Sequence, residues 1–473
     1  MANVNAAQIA PVADSIYPEK KVYFFIIKEI VIDGNRITKP QIIKRELDFK
    51  EGDSIEVSKI DALLKWERNK VFNTNLFVTV DVSLEQTDNF RVKNLKIVVK
   101  EQWYTIPQLI LEPADRNLNE WIFQRGAALN RVNIGAKLFQ YNVRGRRESL
   151  RLTLQTGFTN NFEISYEIPY IDRKQRWGIR PFFAYFDNKS LAIQTNINKL
   201  EFIKSPRESL LRSFFRTGIS INFRQRIFSS HSLELSYNNN YIADTVALLN
   251  PDYFLNGDTR QIYLQAKYTY TIDKRDIRQY AHKGDYFSTT VEQLGFSYQE
   301  SVQLSSLSAT YAKYLQLGKR TFFATRFKAK TSFPNLQPYV NFKGLGYQND
   351  LVRGYELYLV DGQHFLLSSN SARYRFFSKV LNFGKIIPIR QFRTMPVDLY
   401  FTVFSDYGIA FNDKPVRNYP LLTSDNRKLS NRLMGSIGAG IHIVTFYNSV
   451  LRFETSYNLE NKFNFAFAIG TDI

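Results

Sequence analysis

Few side chains in this sequence have the types and spacing that catalysis requires. The four histidines, His231, His282, His364 and His442, are scattered without metal-ligand spacing. Cysteine is absent, which excludes a disulfide scaffold, a cysteine metal cluster and a thiol nucleophile. There is no G-x-S-x-G, no P-loop and no paired-carboxylate signature, and Asp398 reads as a lining carboxylate. We therefore expect no catalytic residue, no metal site, no cofactor and no enzyme. Two short stretches do stand out: Val352-Arg353-Gly354-Tyr355 in a long connection, and Phe404-Ser405-Asp406-Tyr407-Gly408 inside a regular strand pattern.

The elements that carry these stretches follow from periodicity. The longest apolar run, Val22 to Ile27, is far short of the roughly 20 residues a membrane helix needs, so helical spans are excluded. A transmembrane barrel is not excluded, because its strands alternate and dilute the hydropathy signal. After Gln102 nearly every segment alternates with period two and ends in turn residues. In Val397 to Ile409, Leu399, Phe401 and Val403 share one face, while Asp398, Tyr400, Thr402 and Asp406 share the other. Sixteen strands can be laid out, near 106–114, 127–142, 148–158, 161–169, 177–190, 211–224, 230–243 and 258–272, then 284–297, 302–316, 320–332, 364–378, 395–411, 433–445, 449–457 and 463–470. Many match the roughly 10 residues that cross a bilayer rather than the five or six usual in soluble sheets. The even count suits a closed barrel with both ends on one side. Internal Gly438 and Gly440 are read as allowing bends.

Charge divides the chain in the same place. Residues 22–102 carry a net charge of +1, whereas 103–473 carry +18. Such basic excess suits anionic lipid headgroups. Nucleic acid is set aside as a partner, because the basic residues are spread one or two per strand. The first 21 residues form a tail without the apolar core of a secretory signal. That leaves either a mature chain whose signal was removed or a route into the membrane that needs none.

Residues 22–102 read as an α+β module. Tyr23 to Ile32 is a strand ending at the turn Asp33-Gly34-Asn35. Thr38 is a candidate N-cap for a helix through Ile42, Ile43 and Leu47, with Pro40 in its first turn. Gly52 breaks it, and Ser58 is placed as the cap of a second helix through Ile60, Leu63, Leu64 and Val71. Leu76 to Leu84 and Leu95 to Val99 are strands about a polar hairpin. The expected order is strand, helix, helix, strand, strand.

The wording from Val31-Ile32-Asp33-Gly34-Asn35 through Glu46-Leu47, then Asn75-Leu76-Phe77 and a closing hairpin, resembles a POTRA domain. Such modules belong to the outer-membrane assembly-factor superfamily of the BamA/TamA/FhaC type, and this chain resembles a one-POTRA member. The resemblance implies a mainly β fold: one POTRA domain at 22–102 and a 16-stranded antiparallel transmembrane β-barrel over 103–473. Val352-Arg353-Gly354-Tyr355 resembles the family's loop motif, in a loop (333–363) that folds back into the barrel. Phe404-Ser405-Asp406-Tyr407-Gly408 resembles its F-x-D-x-G pattern, which makes Asp406, with Gly408 beside it, the inner-wall partner of Arg353. Asn142-Val143-Arg144-Gly145 and Pro169-Tyr170 are further likenesses. The family often has a Glu before an Arg on strand twelve; Ser371-Ala372-Arg373 stands here, and Ala372 cannot accept a bond. That leaves Asp406 alone, or Glu356 as a substitute.

The seam between first and last strands is the second candidate site. Ile106 to Ala114 contains Pro107 and Pro113, which lack backbone donors. Phe463 to Gly470 is short, with Phe463, Phe465 and Phe467 on one face. Few ladder bonds are expected there, and a weak seam exposes edges that template an incoming strand. The resemblance implies a factor that inserts or folds β-barrel proteins through this seam. The alternatives are a pore translocating protein or lipid-linked cargo, and a scaffold barrel in a larger envelope complex. Implied partners are outer-membrane lipid and lipopolysaccharide, client outer-membrane or secreted proteins, and periplasmic or lipoprotein accessory subunits. A single POTRA also resembles the mitochondrial sorting barrel. The Lys-, Asn- and Tyr-rich composition and the stretch Asp115-Arg116-Asn117 to Trp121 resemble Bacteroidota-type relatives, so the bacterial outer membrane with a periplasmic POTRA is favoured.

Overall fold

Alternating sequences fold here into one long antiparallel sheet, and an N-terminal module with helical spacing packs beneath it. The computed structural model describes residues 23–113, 118–205, 209–297, 299–384, 393–413, 428–445, 449–471 and 473. The tail 1–21 and Asp115-Arg116-Asn117 lie outside the described residues.

The N-terminal module contains β1 (Phe24–Asp33), α1 (Pro40–Lys44), β2 (Ser54–Glu56), α2 (Ile60–Phe72), β3 (Phe77–Gln86) and β4 (Val92–Glu101). Its sheet order is β2-β1-β4-β3, with β1 and β4 parallel. Ile27, Ile42, Ile43, Val71, Val80, Leu95 and Ile97 form its dry core. Gly34 (φ +89°) turns the chain after β1, and Asn35 Nδ2 donates to Thr38 O at 2.9 Å. The three-residue β2 is an addition to the expected order, being too short to show a period.

Both expected caps are corrected. Lys39 is the N-cap of α1, held extended at φ −68°, ψ 138° as steric clash with Pro40 requires. Thr38 is therefore one residue too early, and its hydroxyl pairs with Tyr104 Oη at 3.0 Å instead. Ser58 lies inside a 3-10 turn, Val57–Lys59, and its hydroxyl bonds the Glu56 carboxylate.

The barrel strands begin with β5 (Thr105–Pro113), β6 (Val132–Tyr141), β7 (Ser149–Gly157), β8 (Thr159–Glu167) and β9 (Trp177–Asn188). A separate hairpin follows, β10 (Ser190–Asn196) and β11 (Lys199–Lys204). The sheet resumes with β12 (Arg212–Arg226), β13 (Ser229–Ile242), β14 (Arg260–Asp273), β15 (Gly284–Leu294), β16 (Leu304–Gln316) and β17 (Thr321–Phe333). It ends with β18 (His364–Asn382), β19 (Thr394–Phe411), β20 (Met434–Val444), β21 (Val450–Asn458) and β22 (Phe463–Ile469). Leaving out the hairpin, consecutive strands pair antiparallel from β5 to β22, giving sixteen. The second strand starts at Val132 rather than 127, because Ala127 (φ +53°) and a 3-10 turn at Leu129–Arg131 occupy the earlier residues. The hairpin and two short helices, α3 (Leu118–Arg125) and α4 (Asp244–Leu249), interrupt stretches without a clear period.

Burial is inverted relative to a water-soluble sheet. On β19, Tyr400, Thr402, Phe404 and Asp406 are buried, whereas Phe401, Val403 and Tyr407 are 42–47% exposed. Apolar side chains face out and polar ones in, the pattern of a lipid-facing wall around a polar lumen. No helix among the described residues is long and apolar enough to cross a membrane, which says nothing about strands.

The module packs against one end of the barrel, here the near end. Lys39 N donates to Gly145 O at 2.9 Å, and Asn142 Nδ2 donates to Thr38 Oγ1 at 2.9 Å. Arg224 Nη1 and Nη2 donate to the two oxygens of Glu46 at 2.6 and 2.7 Å. Arg45 lies 3.6 Å above the ring of Tyr170. The Asn142–Gly145 and Pro169-Tyr170 stretches thus form the joint between the two parts.

Candidate functional site: an inner-wall lock and an unpaired seam

The connection from β17 to β18, residues 334–363, folds back on itself through bridges Leu345–Val360 and Tyr347–Asp350. Its apolar residues Leu345, Val352, Tyr355 and Val360 pack with Phe365, Leu367, Ala410 and Met434. That packing brings Arg353, only 5% exposed, onto the polar wall.

Three positions of β19 receive the loop. Asp406 takes a fork from Arg353, Nη2 to Oδ1 at 2.6 Å and Nε to Oδ2 at 2.8 Å. Phe404 lies under the guanidinium, 3.9 Å from ring centroid to Cζ. Gly408 leaves room for Val352, since a Cβ there would stand 2.5 Å from Val352 Cγ2. Every second residue of a strand faces the same way, so an F-x-D-x-G spacing puts ring, carboxylate and gap in one row.

Further groups complete the lock. Arg353 Nη1 and Nη2 donate to Ser371 Oγ at 3.3 and 3.2 Å, and Nη1 lies 3.5 Å from Glu454 Oε1. Asn458 Nδ2 on β21 and Asn464 Nδ2 on β22 donate to Gly354 O at 2.8 and 3.0 Å. Ser436 Oγ donates to Arg353 O. Gly354 has φ +86°, and a Cβ on it would meet Ser456 Oγ at 2.9 Å, so both backbone and space demand glycine. Glu356 accepts the Gly354 N–H at 2.9 Å. Tyr355 is buried beside Tyr358.

Two expectations about this wall are corrected. Ala372 is exposed on the outer face, between buried Ser371 and Arg373, so it was never placed to accept a bond from the loop. Ser371 holds the inward position, and Glu454 supplies a second carboxylate, so Asp406 does not act alone. The register of β20 runs without a bulge through Gly438 and Gly440. Gly438 makes space for the Phe404 ring, whose Cζ would lie 2.4 Å from an added Cβ.

The lock extends toward the near end. Glu454 Oε1 pairs with His442 Nε2 at 3.0 Å, and His442 Nδ1 meets Tyr280 Oη at 2.8 Å. His282 Nε2 meets Tyr400 Oη at 2.7 Å. Tyr280 and His282 come from the β14–β15 turn, whose backbone also brackets Asn73 of the N-terminal module at 3.1 and 3.2 Å. Sequence reasoning missed Glu454, Asn458 and Asn464. Their signal was present: Arg452, Glu454, Ser456 and Asn458 fall on alternate positions and give β21 an unbroken polar face.

The seam is built differently. β5 pairs only with β6 and β22 only with β21; among the described residues no ladder joins β5 to β22. Pro107 is exposed, while Ile106 and Pro113 are half-buried. Leu109 and Phe463 are 85% and 73% exposed. Phe465 is exposed, whereas Phe467 rests on Phe453 with centroids 5.0 Å apart. α3 lies against β22.

Comparison with known proteins places this geometry. Residues 142–473 match the Omp85 superfamily domain, and residues 25–102 match POTRA, described as a surface antigen variable number repeat. The fold is similar to that of BamA from Haemophilus ducreyi lacking POTRA domains 1–3, with TM-score 0.52, 13% identity, and 94% of this chain and 84% of that one covered. It is also similar to CdiB from Escherichia coli, with TM-score 0.54, 10% identity, and 94% and 75% covered. Among curated proteins no sequence matches. A barrel of this family with a POTRA domain points to the bacterial outer membrane, and nothing supports the mitochondrial alternative. The chain belongs to the Omp85 superfamily of non-enzymatic assembly and transport proteins, which work with client outer-membrane or secreted proteins.

Proposed function

We propose that this chain is an outer-membrane protein assembly factor that helps insert or fold β-barrel clients through the β5–β22 seam, with its POTRA domain in the periplasm. The unpaired seam carries the reading. A strand entering a bilayer finds no hydrogen-bond partners in lipid, and each unsatisfied backbone group costs several kcal/mol there. A free edge inside the membrane supplies those partners and lowers the barrier to entry. Pro107 and Pro113 keep β5 from closing fully on β22. The Arg353 lock holds the adjoining wall, β18 to β21, and, through Asn464, the inner face of β22, so the edge stays presented. Lipopolysaccharide and lipid would surround the wall, and periplasmic or lipoprotein subunits would dock on the POTRA domain.

A translocation pore is the second reading. A near-end vestibule of about 520 Å³ favours it, lined by Arg68, Gln102, Arg151 and Asp398 among others. It requires residues 334–363 to leave the lumen, so their deletion would raise single-channel conductance sharply.

Depletion of the protein followed by quantitative proteomics of purified outer membranes tests the function. Broad loss of barrel proteins is the expected result. Loss of one or two cargos with other barrels intact would favour the pore, and unchanged barrels would favour a scaffold.

A further inference from the structure

Between the POTRA domain and the near rim lies a cavity of about 330 Å³ in which cations outnumber carboxylates. Lys70, Arg147, Arg176, Arg224, Arg275 and Arg278 line it, against Glu46, Glu167, Asp273 and Asp276. Most of these charges are committed to one another. Arg224 grips Glu46; Arg275 forks onto Asp273 at 2.8 and 2.9 Å, and Arg278 shares that carboxylate at 3.0 Å. Lys70 is ion-paired with Asp48 at 2.7 Å and Glu67 at 2.8 Å. The Asp276 carboxylate accepts the backbone N–H groups of Ile277, His282 and Lys283.

Arg176 is exposed, and Arg147, half-buried, is the other exception. Its Nη1 donates to Tyr170 Oη at 3.0 Å, and a neutral phenol offsets no charge. Among the described residues no carboxylate lies within ion-pair distance of it. Glu46 and Glu167 attract it from farther away, while it repels the neighbouring cations. Burial, together with repulsion from Arg147 and Arg275, pushes the Arg278 guanidinium below its ordinary value. Burial, Arg224 and Arg147 do the same to Arg45, whose Nη1 is buried without a hydrogen-bond partner.

The rim of the cavity is aromatic. Phe223 lies against Trp177, ring centroids 4.6 Å apart, on paired positions of β12 and β9, and Trp177 is 45% exposed. Trp66 of α2 tilts onto Phe228 at 5.6 Å. Tryptophans at the end of a membrane wall mark headgroup depth. A cluster of guanidinium groups behind an aromatic lip fits an amphiphile with an anionic head.

We propose that this cavity binds the phosphate of an anionic phospholipid headgroup, with Arg147 and Arg278 as its donors. The planar guanidinium fork matches phosphate oxygens, and the bound anion supplies the close anionic partner that Arg147 lacks. Seated there, the lipid would reinforce the Glu46–Arg224 bridge between POTRA domain and barrel.

Native mass spectrometry of the full chain in detergent, titrated with phosphatidylglycerol or phosphatidylcholine, tests this. We expect one phosphatidylglycerol retained in preference to phosphatidylcholine. Arg147→Gln and Arg278→Gln should each lower retention roughly tenfold. Arg320→Gln, at an exposed rim position between β16 and β17, should leave it unchanged. Arg147 has φ +64°, so Arg278→Gln keeps the test readable if the first variant folds poorly. Inorganic phosphate bound as tightly as phosphatidylglycerol would overturn the lipid as source. Equal retention in the wild type and both variants, or equal loss in Arg320→Gln, would overturn the site.

Discussion

The Arg353 lock and the β5–β22 seam meet on the same last strand and are bonded in opposite ways. At the lock, a forked ion pair, a ring face and three further side-chain donors converge on two consecutive loop residues, Arg353 and Gly354. At the seam, no ladder joins the strands, and the apolar side chains Leu109 and Phe463 stand exposed. Strand length follows the same gradient, from 19 residues in β18 and 18 in β19 to 9 in β5 and 7 in β22. A closed sheet shares its hydrogen bonds around the ring. This one concentrates side-chain contacts on the wall from β18 to β22 and has no ladder at the joint beside it among the described residues.

The largest effect should come from the lock. Removing one partner of a buried pair leaves an uncompensated charge, so Arg353→Ala should destabilise the barrel by about 3–5 kcal/mol. Heat-modifiability on gels would read this as earlier unfolding, and the Arg353→Ala/Asp406→Ala double variant should recover part of the loss.

The joint between POTRA domain and barrel ranks next, a contact of intermediate strength that sharpens the contrast. Glu46→Gln removes a bidentate charge-assisted contact worth about 1.5–3 kcal/mol. Burial opposes ionisation of Glu46, but the Arg224 hydrogen bonds and the charges of Arg224, Arg147 and Arg45 outweigh it and hold the carboxyl below its ordinary value. Its contribution is therefore complete above the unfolded value of about 4.3 and is lost as pH falls through the lower folded value. Limited proteolysis of the POTRA domain should speed up on acidification below about pH 4 in the wild type, and Glu46→Gln should remove that dependence.

Gly408→Val tests the fit of the row. Overpacking against Val352 should cost about 1–3 kcal/mol, and Val352→Ala in the same chain should restore most of it in thermal unfolding. At the seam, by contrast, Pro107→Ala should change stability by no more than about 0.5 kcal/mol.

The barrel was legible because its strands repeat with period two over long segments, and even the ends of β12 to β14 lie within two residues of the pattern. The Arg353–Asp406 geometry was legible through resemblance alone; nothing in a tetrapeptide tells which wall it meets. Glu454, Asn458 and Asn464 were missed because their partners are backbone or loop atoms a hundred residues away. Thr38 misled because a good capping residue sits two positions before a proline that opens the helix, which makes Lys39 the cap. The hairpin β10–β11 and α3 lie in loops, where local period carries no information about which neighbour they pack against.

The central claim is that the seam, not the lock, opens during function. The chain contains no cysteine, so single pairs can be introduced, one in 105–113 and one in 463–469, and the pairs that oxidise selected. Assembly of a reporter barrel should fall roughly tenfold or more on oxidation and return on reduction. Normal reporter assembly in a fully crosslinked variant would contradict the account.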